Sequence, residues 1–293
     1  MLFFSPSDQA EPVNVKYSQA PSLATLINPW RVVTNVWQHR ELAWQFTRRE
    51  IQLRHKGSRL GAVWALVTPL SMLTLYFFVF GLIYKMRFGV IANETHYDFA
   101  LALFLGLSLF HVFSEALGWA PAVITSNPNF VKKVVFPLEI LPLAKLGDSA
   151  FHLMVSLALI VVGSVFSSPG LTVNVLWLPV LVLPMLMLGL GVAWALAAIG
   201  VFFRDISQMT AFVTTATLFS SAIFFPTSRL TPPWDILRYN PILQIVDLAR
   251  HVVLWHEPMS WTRLGYVYGV ALIVVMVGHA LFALLRRSFA EVI

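Results

Sequence analysis

Of the 293 residues, 58% are hydrophobic and only 12% charged, with a mean hydropathy of +0.74, which excludes an ordinary soluble domain and indicates an integral membrane protein. There is no cysteine, so disulfides, thiol catalysis and thiolate metal sites are excluded. The formal charge of +6 does not argue for nucleic acid, because Lys and Arg lie in short loops beside apolar runs, where they encode topology.

Residues 1–28 are polar and proline-containing and read as a mobile tail; they lack both the basic leader and the apolar core of a secretory signal. Residues 29–57 form an interfacial region. Within it, Trp37 to Lys56 predicts a helix without a breaker, too charged to cross a bilayer. At 100° per residue, Trp37, Trp44 and Ile51 make one stripe. Leu42, Phe46 and Leu53 make another, nearly opposite, with Arg40, Arg48, Arg49 and Arg54 between them. Two stripes suit a helix wedged between lipid and protein, whereas one in headgroups needs a single apolar face. Gly57 suits the left-handed stop of this helix and Ser58 the cap of the next.

Residues 58–288 then read as an all-α membrane domain with six transmembrane helices. They run over about 60–84, 99–119, 143–166, 175–203, 208–225 and 264–285, against roughly 20 residues needed for about 30 Å of hydrocarbon. Between the second and third lies NPNFVKKVVFPLEILP. Asn127-Pro128 marks a turn, Asn129 to Phe136 can make about two helical turns, Pro137 ends them, and Pro142 suits the first turn of the next helix. Phe130, Val134 and Pro137 fall on one side and Lys132, Lys133 and Phe136 elsewhere, a knob with charge that reads as a docking element. The plainer reading is that the two lysines hold a loop on the cytoplasmic side.

With the N-terminus inside, fourteen Lys and Arg fall on that side and six on the other, which favours two cytoplasmic termini. The segment from Pro226 to Trp261 is then external and long for a hairpin, with short re-entrant helices around Pro233 and Pro241 before the last span. It reads either as a lid over an exit or as an inert packed cap.

No G-x-x-x-x-G-K-[ST], H-E-x-x-H or G-x-S-x-G occurs, so nothing at motif level supports ATP binding or hydrolysis. His111 with Glu115, and Asp148 with His152, are i, i+4 pairs nearer the cytoplasmic ends of consecutive spans. They could serve as a proton relay or metal site, or as mutually bonded groups at a polar channel mouth. Aromatic residues are 14% of the chain, and Tyr76, Tyr84 and Phe110 are candidates to face sugars in a channel; most of the others belong to lipid-facing, core or belt positions.

Four stretches in order, Arg49–Leu70 (REIQLRHKGSRLGAVWALVTPL), Asn127–Leu143 (NPNFVKKVVFPLEILPL), Val201–Gln208 (VFFRDISQ) and Tyr239–Arg250 (YNPILQIVDLAR), resemble the membrane subunits of type-2 ABC exporters that move O-antigen, capsule or teichoic-acid polysaccharides. The resemblance covers nearly everything after about Pro29. It implies a homodimer in the bacterial inner membrane with two copies of a separate P-loop ATPase that carries ATP and Mg, and no cofactor or metal on this chain. It implies an undecaprenyl-linked polymer as cargo. Asn129, Phe130, Lys132, Lys133, Phe136 and Pro137 would form the coupling helix against the ATPase. Trp37, Trp44, Arg48, Arg49 and Arg54 would belong to the cytoplasmic interface helix, and Pro226, Trp234, Tyr239, Asn240 and Pro241 to an external gate. His111 and Glu115 would join Tyr76, Tyr84 and Phe110 along the channel. The chain departs from the family at His55, where tyrosine is usual, at Ala222, where a proline often precedes the gate, and at Asp247, where glutamate is common. The rival expectation is an ion-coupled secondary transporter using His111, Glu115, Asp148 and His152.

Overall fold

The computed structural model describes residues 34, 36–132 and 136–293, so the predicted tail, Lys133 and Val134 lie outside the described residues. The chain opens with α1 (Arg40–Arg54), which ends near Gly57 at φ +87°. Only glycine adopts that conformation without cost, as the sequence predicts. Ser58 does not cap the next helix. Its hydroxyl instead accepts from the Trp64 indole N–H at 2.8 Å, so the indole stakes the hinge.

A 3₁₀ turn (Gly61–Val63), α2 (Trp64–Tyr76) and a π-helical stretch (Phe77–Ile83) run continuously as the first span. The second, α3 (His96–Trp119), starts in a capping box: Thr95 Oγ1 accepts from Asp98 N at 3.2 Å, and Asp98 Oδ2 accepts from Thr95 N at 2.8 Å. The other Asp98 oxygen accepts from Ser168 N at 2.9 Å, fastening this end to the loop after the third span. Then come α4 (Pro128–Lys132), α5 (Ile140–Ser164) and α6 (Leu178–Phe202). α7 (Ile206–Ser220) leads to a 3₁₀ turn (Trp234–Tyr239), α8 (Pro241–Ala249) and a π-turn (Arg250–Leu254). The chain finishes with α9 (Trp261–Leu285) and α10 (Phe289–Val292).

Among the described residues, five helices are long and apolar enough to cross a membrane. The sixth predicted span, 208–225, is the exception in length. α7 has 15 residues, about 22 Å at the usual rise, and the helix breaks before Ala222, whose φ is +49°. The chain therefore bends at the position where the resemblance led one to look for a proline.

α3 is the centre of the bundle, buried along most of its length, with α5, α6 and α8 packed around it. α6 and α9 cross so closely that a Cβ on Gly191 would sit 2.5 Å from the Val274 carbonyl oxygen, and one on Gly278 would overlap the Gly191 backbone. Small residues at such a crossing let backbones meet, the packing mode available where lipid removes the hydrophobic drive between helices. Two helices stand apart from this core: α2 buries only Ala65 and α7 only Thr210, although both are rich in apolar side chains.

One end of the bundle gathers α1, the 127–139 loop, the turn after α6 and α10, and is called the basic end below. Phe46 of α1 lies 5.5 Å from Phe130 and 5.1 Å from Phe136, ring centre to ring centre. Phe289 of α10 packs on Phe282 and Phe202 at 5.5 and 6.2 Å. The opposite end carries the 84–95 loop, the 165–177 loop and the segment 222–260. There α8 buries Ile242, Leu243, Ile245, Val246, Leu248 and Ala249 inside the protein. Its backbone is thus covered as membrane depth would require.

Candidate functional site

α1 delivers Arg54 at its last turn to a gap between α3 and α5. The guanidinium forks: Nη2 donates to Glu115 Oε1 at 2.6 Å and Nη1 to Asp148 Oδ2 at 3.0 Å. Each carboxylate also faces the histidine one turn along its own helix, His111 Nε2 at 3.2 Å from Glu115 and His152 Nε2 at 3.5 Å from Asp148. The His55 ring stands 5.4 Å from that of His152. The two i, i+4 pairs are therefore not separate features. They form one cluster closed by an arginine from the surface helix. Burial alone would lower the Arg54 pKa, but the two carboxylates outweigh it and hold it above its ordinary value.

The sequence placed Arg54 on α1 but gave no sign of its partners, since they are 61 and 94 residues away. Gly147 beside Asp148 leaves no Cβ where Thr47 of α1 approaches, within 2.6 Å of that position. The glycine lets α1 lie down on α5 closely enough for the fork to reach.

The cluster forms the polar wall of a cavity of about 330 Å³ whose other walls include Tyr76, Phe104, Phe110 and Leu218. A second recess of about 440 Å³ lies on the other side of Arg54, lined by Glu50, Glu115, Lys145 and Asp148. Arg54 thus stands between an apolar hollow and a charged vestibule. Tyr76, Phe110 and His111 line the hollow, and Glu115 lines the charged recess. Tyr84 lies apart from both, 67% exposed at the far end of the first span. No group of three or more His, Asp or Glu among the described residues is arranged to hold a metal ion.

On α1, the Trp37 and Trp44 stripe is turned outward, each 66% exposed, while Phe46 points inward to Phe130 and Phe136. Arg40 covers Trp37 at 4.9 Å and Arg49 covers Phe46 at 4.8 Å, while Arg48 is exposed. In the loop, the helix begins at Pro128, one residue earlier than predicted, and is described to Lys132. Asn129 and Lys132 are exposed; Phe130, Phe136 and Pro137 are half-buried. Phe130 and Pro137 are thus partly covered by the protein, while Lys132 is turned outward.

At the opposite end, Asn240 caps α8, its Oδ1 accepting from Ile242 N at 2.9 Å, and its Nδ2 donates to Ser220 O at 3.2 Å, which joins α8 to the end of α7. Pro241 opens the helix, Trp234 and Tyr239 are exposed, and Pro226 is buried. Arg250 holds this region together and was not singled out from sequence. It is 1% exposed and donates to Ala222 O (3.0 Å), Ile223 O (2.7 Å) and Ala102 O (2.8 Å), with its guanidinium 4.6 Å from the Phe88 ring centre. The carbonyls left unpaired where α7 breaks are answered by this one side chain. Beside it, Asp247 accepts from Arg263 Nη2 at 2.6 Å, and His251 Nδ1 meets Glu257 Oε2 at 2.7 Å. Burial would lower the His251 pKa, but Asp247 and Glu257 raise it above the usual value.

Residues 41–254 match the family described as ABC-2 type transporter. The chain is 26% identical over 264 residues to the O-antigen export system permease protein RfbA of Myxococcus xanthus, covering 89% of this chain and 98% of that one. It is 23% identical to a protein of the same name from Klebsiella pneumoniae, over 84% and 93% of the two chains. It is 25% identical to the polysialic acid transport protein KpsM of Escherichia coli, over 80% and 89%. With most of its length inside the matched region, the chain belongs to the ABC-2 type transporter membrane family.

Proposed function

We propose that this chain is the permease of an ATP-driven exporter that moves a lipid-linked polysaccharide, of O-antigen or capsule type, across the bacterial inner membrane. The observation that carries the reading is the end-to-end likeness to permeases named for O-antigen export and polysialic acid transport. Two such chains would form the channel, with α2 and α7 as its shared wall, a role supported by how little of either helix is buried within one chain. The basic end would face the cytoplasm and the segment 222–260 the outside, as the distribution of Lys and Arg favours. The undecaprenyl-linked cargo would enter near the Arg54 cavity and pass along Tyr76 and Phe110.

ATP hydrolysis would occur on two copies of a partner P-loop ATPase holding ATP and Mg. The 127–139 loop would dock there, with Asn129 and Lys132 outward and Phe130 and Phe136 bracing it against α1. Purification in mild detergent tests the reading: an ATPase recovered at equal ratio, with polysaccharide export in proteoliposomes that stops without ATP, is the expected result. A chain that transports alone and stops when the proton gradient is collapsed would instead establish the ion-coupled transporter. The ion pairs of Glu115 and Asp148 with Arg54 count against that rival, because carboxylates held by a fixed cation make poor proton carriers.

A further inference from the structure

The last long helix carries an ion pair at each end, and the two pairs join it to different parts of the molecule. At the basic end Arg286, the residue after α9, pairs with the Glu139 carboxylate. Glu139 closes the 127–139 loop immediately before α5 and is 4% exposed; its main-chain carbonyl also accepts from Trp194 Nε1 of α6 at 3.1 Å. At the opposite end Arg263, in the first turn of α9, donates from Nη2 to Asp247 Oδ2 and from Nε to Gln244 Oε1, both at 2.6 Å and both on α8. In between, the Gly191–Gly278 crossing holds α9 against α6 at backbone contact.

A 25-residue helix is about 37 Å long and stiff along its axis. Pulling Glu139 away from Arg286 would leave a buried carboxylate without its cation, so Arg286 must follow the loop when it moves. At the other end Asp247 would keep only His251 and the Thr227 hydroxyl on its Oδ1 if Arg263 moved off, leaving Oδ2 without its short charged partner. The close crossing with α6 limits sideways escape, so displacement is passed along or about the axis rather than absorbed.

We propose that α9 is the rod that carries movement from the docking loop to the segment covering the opposite end, with Arg286 and Arg263 as positioning residues that couple it to Glu139 and Asp247. The proposal rests on the exporter reading above. It differs from a route through α2 and α7 alone in requiring both ion pairs.

The test uses the complex of this chain with its ATPase in proteoliposomes, with a nitroxide attached at Ile236→Cys before assembly with the ATPase, which the absence of native cysteine makes the single label on this chain. A non-hydrolysable ATP analogue is expected to change the spectrum of that label in the parent complex. In Arg286→Ala and in Arg263→Gln the change should vanish and export should fall roughly tenfold, while ATP hydrolysis stays within about twofold of the parent. Exchanging the charges, Glu139→Arg with Arg286→Glu, should restore the response. Should Arg286→Ala fail to fold, Arg263→Gln carries the same expectation from the other end. A label that still responds in either single variant, or export that falls only in step with ATP hydrolysis, would overturn the rod. A parent complex that binds no ATPase and exports nothing would instead remove the exporter reading.

Discussion

Arg54 and Arg250 solve the same problem with different chemistry. Arg54 holds two carboxylates that would be costly side by side without it, while Arg250 holds three carbonyl oxygens and takes its partner charge from none of them. Replacing Arg54 by Ala should lower stability by about 1–3 kcal/mol, less than for a fully buried pair because its side chain is about a third exposed. Thermal unfolding of the purified chain measures this, and Arg54→Lys should recover only part of it, since one ammonium nitrogen replaces the two guanidinium nitrogens that reach the separate carboxylates. His251 gives a pH signature. Its folded pKa is raised, so its contribution is fully present below about pH 6.5, the ordinary histidine value, and is lost as pH rises through the folded value. His251→Gln should therefore flatten the fall in melting temperature across that rise, and an unchanged pH profile would show that the contacts with Asp247 and Glu257 contribute nothing. The i, i+4 pairs were legible at this scale because helical spacing alone brings them together. The third partner was not, because no local rule relates Arg54 to positions 61 and 94 residues distant.

Among the elements, the short loop helix α4 and the α6–α9 pair invite the sharpest tests. Phe130 is half-buried between Phe46 and Phe136, at 5.5 and 4.7 Å. Phe130→Asp should leave membrane insertion intact and abolish export, read by membrane fractionation beside surface polysaccharide; normal export by this variant would remove the docking role. For the helix pair, Gly278→Leu should destabilise strongly, by about 3 kcal/mol or more, because the added side chain meets backbone that cannot step aside. Detergent melting curves check it, with Gly269→Leu as the control, since nothing lies within 4 Å of a Cβ there. Five of the six predicted spans were legible from apolar length, and the end of α1 from Gly57. The early end of α7 was not: its sequence stays apolar through Phe225, and what decides the break is Arg250, placed by tertiary packing to take the freed carbonyls.

For the whole molecule, α2 and α7 pose the question of what covers them. If they form the wall shared by two copies, cysteines introduced at outward positions of the first span, such as Leu75 and Leu82, should cross-link between chains in native membranes. A chain that stays monomeric under these conditions would sink the shared channel. From sequence alone, composition set the membrane class, the apolar lengths marked five helices long enough to cross a membrane, the Lys and Arg count favoured an orientation, and four ordered stretches pointed to the family. These are properties of single segments against a bilayer, which acts on each helix by its own hydropathy and flanking charge. Only the tertiary structure decided which helices pack in the core and which stand apart from it, that Arg54 closes two pairs into one cluster, and that α9 carries an ion pair at each end. Those features depend on close approach between helices far apart in the chain, and inside a membrane such approach is governed by small residues and buried polar partners rather than by any pattern within one helix.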